Sequence, residues 1–184
     1  MIAGFRWRRP TLGVVGVITL ALTACSTSVG GQATPVPTAP GTSSAAPPAG
    51  TGNPFAGMNP CTVLDQAAAG QGYPAAHPST ADSNRSCASD KPGDSTVGVA
   101  LQNGQRFDQN ISNPSKAVTG DVNGRPAIQE REPIGAVGQC SITMEVKPSS
   151  RALVSLSGGK TTDEACQLVN AIAAKLETLL PKNN

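Results

Sequence analysis

The chain has 184 residues, with 14 lysines and arginines against 12 acids, one histidine, five cysteines and 3% aromatic residues. Three of the basic residues, Arg6, Arg8 and Arg9, fall in the first ten positions, so the rest of the chain is near −1. No basic excess remains there to neutralise phosphates, which excludes a nucleic-acid partner.

The opening, MIAGFRWRRP, is positive and free of acids, and Thr11 to Leu22 is uncharged and apolar. As a helix this apolar run is about 18 Å long, too short for the ~30 Å hydrocarbon core, so it reads as a signal peptide rather than a membrane span. Its end, Leu22-Thr23-Ala24-Cys25, resembles the bacterial lipobox. That resemblance implies a thioether from Cys25 to diacylglycerol, cleavage before Cys25, and an acyl chain added there. Two or three chains, each gaining about 0.8 kcal/mol per buried CH₂, anchor a protein stably. Arg8-Arg9 raises twin-arginine export, but Pro10-Thr11 lacks the bulky apolar residue that should follow. Residues 1–24 are thus the expected signal. Residues 25–52 are the expected lipidated Cys25 and a tether of Ser, Thr, Pro, Gly and Ala, interrupted only by Val29, Gln32 and Val36. A segment of that composition buries too little apolar area to offset ~1–2 kcal/mol of backbone entropy per residue, and disorder is expected.

Residues 53–184 are left to fold as a single domain. Asn59 and Pro60 fit the start of a short helix with an apolar face of Val63, Leu64, Ala67 and Ala68, and Gly70 fits its stop. Val97, Val99 and Leu101 alternate with Gly98 and Ala100 as in a strand. Asn123-Gly124 signals a turn, with a strand over Arg125 to Glu132. Cys140, Ile142, Met144 and Val146 alternate with Ser141, Thr143 and Glu145, predicting a strand with one buried face, and Lys147 to Ser150 turns into the run Ala152 to Leu156. Thr161 and Glu164 form a capping-box pattern before a helix of about five turns, with Ala165, Leu168, Val169, Ile172, Ala173, Leu176, Leu179 and Leu180 on its apolar face. The fold class is α+β: a mostly antiparallel sheet, a short N-terminal helix and a long C-terminal one packed on one face.

With Cys25 acylated, Cys61, Cys87, Cys140 and Cys166 remain, and four cysteines in an exported domain read as two disulfides. Three pairings exist. The equal spacings of 26 favour Cys61 with Cys87 and Cys140 with Cys166, each fastening a helix to a strand. No C-x₂-C unit occurs and the only histidine, His77, sits in an Ala-His-Pro segment, so no metal is expected.

These landmarks together resemble a family of secreted lipoproteins of mycobacteria and related actinobacteria that share a domain of unknown function. They are the lipobox and tether, Asn59-Pro60-Cys61, Cys87, Gly124-Arg125-Pro126-Ala127, Cys140 and Glu164-Ala165-Cys166. The family often has an aromatic two residues after the second cysteine, where this chain has Ser89. The resemblance implies an envelope location and a disulfide-stapled α+β domain, and no activity.

Enzyme signatures fail one by one. Gly158-Gly159-Lys160-Thr161 before a helix lacks the first glycine of a phosphate loop, since Val154 stands there. A small anion at that helix start, beside Lys160, is the weaker remnant. Glu130 and Glu132, two apart on a strand, would share a face about 7 Å apart as an inverting glycosidase pair does; ordinary surface charge is the expected reading. His77 has no nucleophile elbow to serve. The expected function is a non-enzymatic envelope module that needs no cofactor beyond the covalent lipid. It would be held to the membrane by that anchor and bind an envelope protein or a lipid-like ligand. The alternative is an envelope hydrolase with an unrecognised site. A ligand cleft is expected between the sheet and the second half of the last helix, lined by Val99, Ile142, Met144, Leu153, Ile172 and Leu176, because a disulfide at Cys166 holds only the helix start.

Overall fold

In the computed structural model the described residues are 52–182; the expected signal peptide, Cys25 and nearly all of the expected tether lie outside them. Asn59 caps the first helix, its side-chain oxygen accepting from the N–H groups of Cys61 (2.9 Å) and Thr62 (3.1 Å). Pro60 takes the first turn, where its missing N–H costs nothing. The helix, α1, runs Pro60–Ala67 and buries Val63, Leu64 and Ala67.

Seven strands follow: β1 His77–Pro78, β2 Ser86–Asp90, β3 Thr96–Asn103, β4 Ala117–Val122, β5 Arg125–Arg131, β6 Cys140–Lys147 and β7 Ser150–Ser157. They form one sheet in the order β1-β2-β3-β7-β6-β5-β4, and every adjacent pair is antiparallel. Asn123 (φ 52°) and Gly124 (φ 81°) both adopt positive φ, as a two-residue type I′ hairpin turn requires, and Val122 pairs with Arg125 across it. The long helix, α2, runs Thr162–Leu179; the Thr161 hydroxyl oxygen accepts from the Glu164 N–H at its start.

Both helices lie on one face of the sheet, α1 over β2 and β3, α2 over β6 and β7. Val97, Val99, Leu101, Ile142, Met144, Val146, Val154, Val169, Ile172 and Leu176 form the layer between, each at most 3% exposed. Every such side chain contributes about 1.5–3 kcal/mol by leaving water. The disulfides Cys61–Cys87 and Cys140–Cys166 tie α1 to β2 and β6 to α2, each helix to a strand beneath it.

Three features depart from the sequence expectations. On β6 both faces are buried: Ser141 (5% exposed) and Thr143 (4%) are covered as well as Ile142 and Met144. The long connection from β3 to β4, residues 104–116, crosses this outer face, bonded to Arg151 on β7 and to Glu130 on β5. The Arg151 guanidinium donates to the side chains of Gln102 and Gln105 and to the backbone carbonyl of Gln109. The strands β1 and β4 carry no buried alternation, so hydropathy gives no sign of them. The far end of α2 is also fastened. Arg125, 2% exposed in its side chain, donates to Glu177 (3.0 Å), to the Pro181 carbonyl (2.9 Å) and to the Glu145 carbonyl (3.1 Å). Asn123 donates to the Ala174 carbonyl beside it.

Candidate functional site

The expected cleft is closed. Val99, Ile142, Met144, Ile172 and Leu176 are at most 2% exposed and pack on one another as core. Leu153 is not among them. It pairs with Ala100 and Thr143 and projects from the opposite face, where it lines a shallow trough of about 180 Å³ with Gly98, Ala100 and Ser155. The period-two rule places it there: Ala152, Val154 and Leu156 take the inner face, so the residues between them face out. A continuous apolar run gave no phase to read.

The two glutamates do not converge either. Glu130 is on β5, 5% exposed, and accepts from the Asn113 N–H at 2.8 Å beneath the 104–116 connection. β5 ends at Arg131, and Glu132 turns into the left-handed region (φ 52°). Its carboxylate therefore leaves the strand face, accepting from the Thr162 hydroxyl at 2.7 Å and pairing with Lys116. Those two hydrogen bonds, Lys116 first, hold its carboxyl below the usual range. His77 lies on the surface with Nε2 2.8 Å from Asp90. Among the described residues no group of three or more His, Cys, Asp or Glu is placed to hold a metal ion, and no helix is long and apolar enough to cross a membrane.

The glycine pair before α2 has a structural task. Gly159 donates its N–H to the Gly138 carbonyl at 3.0 Å. Gly138 approaches so closely that a Cβ on it would sit 1.8 Å from the Gly159 oxygen. Asp163, Glu164 and the incoming Glu132 already bring carboxylates to this helix start, which opposes an anion there.

What this packing builds is a rigid loop, residues 132–139, between β5 and β6. Glu132 N–H donates to the Gln139 carbonyl (3.0 Å) and closes its neck, while Gly135 N–H donates to the Glu132 carbonyl (2.9 Å). Asn113 holds the Glu132 carbonyl from one side, and the Thr162 hydroxyl accepts from Gly138 N–H on the other. The tip then presents Ile134, 79% exposed, and Val137, 69% exposed, with no apolar cover. Exposed aliphatics on a loop whose backbone is bonded from both sides make a preorganised contact. The loop lies at the end of the sheet where β6 begins and Cys140 pairs with Leu156. Asn53 to Met58, where the chain enters the domain, lie against Leu101 and Asn103 at the opposite end. The only sign of this loop in the sequence is Pro133-Ile-Gly-Ala-Val137, two large aliphatics in a segment with no strand or helix period.

Ser89, where the resembling family often has an aromatic, is 1% exposed and donates its hydroxyl to the Pro74 carbonyl at 2.6 Å. A hydrogen bond thus fastens the segment before β1 where a ring could have packed.

The family model of DUF3558, described as a protein of unknown function, matches residues 20–179. No curated protein and no solved structure matches the chain.

Proposed function

The chain belongs to the DUF3558 family, whose function is unknown, and we propose from its own residues that it is a non-enzymatic module of the cell envelope. It is lipid-anchored through Cys25 and presents the 132–139 loop to an envelope protein. The carrying observation is the exposure of Ile134 and Val137 on a backbone braced from both sides, at the end away from chain entry. The disulfides suit an oxidising, extracytoplasmic compartment. The lipobox pattern LTAC and the tether beyond it support anchoring with reach.

A protein partner is favoured over a lipid-like ligand because the space between helix and sheet is filled by Ile142, Met144, Ile172 and Leu176. The groove beside β4, about 190 Å³, is small for such a ligand, and the larger hollow of about 360 Å³ at the β2–β3 turn is lined by Asp90, Lys91, Asp94 and Ser95, with no large apolar side chain to hold an acyl chain. The hydrolase alternative draws no support from Glu130 and Glu132, whose carboxylates are bonded to different parts of the fold.

Two substitutions at the tip test the reading. Ile134→Asp with Val137→Asp should leave thermal stability within about 0.5 kcal/mol, because neither side chain is buried. It should abolish association with the partner identified by in-cell cross-linking of the parent chain. Unchanged association would refute the loop as the contact. Separately, Cys25→Ser should move the protein from the membrane to the soluble fraction.

A further inference from the structure

The two edges of the sheet are finished differently. At one edge β1 is only His77–Pro78, short and blocked by a proline. At the other, β4 runs six residues in continuous register with β5, without bulge or proline, and no strand among the described residues pairs beyond it. Because Val122 and Arg125 close a two-residue hairpin, Val122, Gly120 and Val118 direct their backbone groups to β5. Thr119 and Asp121 direct theirs outward. The third outward residue, Ala117, already donates its N–H to the Pro114 carbonyl.

We propose that β4 is a self-association edge, on which a second copy of this chain pairs its own β4 antiparallel about a twofold axis through Gly120. An extended backbone can pair with such a row of outward amides and carbonyls in place of water. The register follows from which groups are open. With Gly120 opposite Gly120, Thr119 and Asp121 of each copy exchange both backbone hydrogen bonds with Asp121 and Thr119 of the other. Of the two registers one step away, that centred on Thr119 would need the N–H of Ala117, which is taken, and that centred on Asp121 would set the two Asp121 carboxylates opposite each other.

Side chains agree with this placement. Val118, 61% exposed, lands opposite Val122 of the second copy on the face that carries the helices. The strand's one carboxylate, Asp121, stands opposite a Thr119 hydroxyl, and no like charges meet. Gly120 itself has no task within one copy: a Cβ there would meet nothing within 4 Å, and its φ is not positive. Glycine weakens a strand interior and marks close approach of another backbone. At a non-hydrogen-bonded antiparallel pair the Cα atoms are about 4.5 Å apart, and this is where the two glycines meet.

The test uses the full chain with Cys25→Ser, so that no other unpaired thiol interferes. Gly120→Cys places two thiols opposite each other, within the span a disulfide bridges. Mild air oxidation should convert it to a species of twice the mass, while Val118→Cys, offset from its own symmetry mate, should stay at the monomer mass. Thr119→Pro removes an outward N–H that the monomer does not use. By sedimentation equilibrium it should turn a dimer of the parent chain into a monomer, with the melting temperature of the parent at dilutions where the parent is itself monomeric. A parent chain that stays monomeric at about 1 mM overturns the proposal. So does equal cross-linking of Gly120→Cys and Val118→Cys, or a dimer that Thr119→Pro leaves intact. If Thr119→Pro does not fold, the two cysteine variants decide alone.

Discussion

Arg125 shows how one side chain can govern a distant element. It stands in the Gly124-Arg125-Pro126-Ala127 landmark, and its guanidinium joins β5 to the end of α2 through Glu177 and Pro181. Removing one partner of a buried pair strands the other charge, at about 3–5 kcal/mol, whereas replacing both with apolar residues costs far less. Glu177→Ala should therefore destabilise by about 3 kcal/mol in a denaturant titration, and Arg125→Met with Glu177→Leu by much less. Equal losses would mean that the pair is not electrostatic in its action. His77 offers a second residue-scale test. The hydrogen bond that its Nε2–H donates to Asp90 raises its pKa, with the Pro78 carbonyl and the Asp90 charge adding to it. A raised folded pKa means that the contact adds stability below the unfolded value of about 6.5. That contribution is lost as pH rises through the folded value. The single histidine should titrate above the ordinary value by NMR, and Asp90→Asn should bring it back down. At this scale the sequence showed caps well, because Asn59 and Thr161 act over a few residues, and the cysteine pairs through their equal spacings of 26. Glu130 and Leu153 were misread because their surroundings come from residues 104–116 and from strand phase, which no local pattern carries.

The element that changes most on seeing the structure is α2. Its apolar face at helical spacing made its position legible. Where freedom at the far end was expected, the structure places hydrogen bonds from β5 and the turn before it. Backbone amides from Cys166 to Leu176 should thus be protected alike in hydrogen exchange, and Glu177→Gln should speed exchange in the last turn alone. Fast exchange from Ile172 onward in the parent chain would restore the one-ended picture. The capping oxygen of Asn59 is a local restraint of the same kind, and Asn59→Ala should cost about 1 kcal/mol. β4 was invisible for a different reason. It buries no side chain, so its strand character rests on the Asn123-Gly124 turn and on backbone bonds to β5. The path of residues 104–116 across the outer face was equally silent, since its contacts are polar and long-range.

As a whole molecule, the domain is a single sheet with its helices fastened by covalent staples. Each disulfide closes a loop of sequence separation 26, for which chain entropy gives about 3–4 kcal/mol. Replacing Cys140 and Cys166 together with alanine should lower stability by roughly that amount and leave an antiparallel-sheet spectrum. The braced loop at the free end gives this frame a use, and partner contact through Ile134 and Val137 is the central claim. Photo-activatable cross-linkers at Ile134, Val137 and, as a control, Lys147 at the opposite end of β6, introduced in living cells, test it most directly. The account predicts one discrete heavier species from positions 134 and 137, the same protein in each, and none from 147. No adduct from the loop, or the same adduct from all three positions, would contradict it.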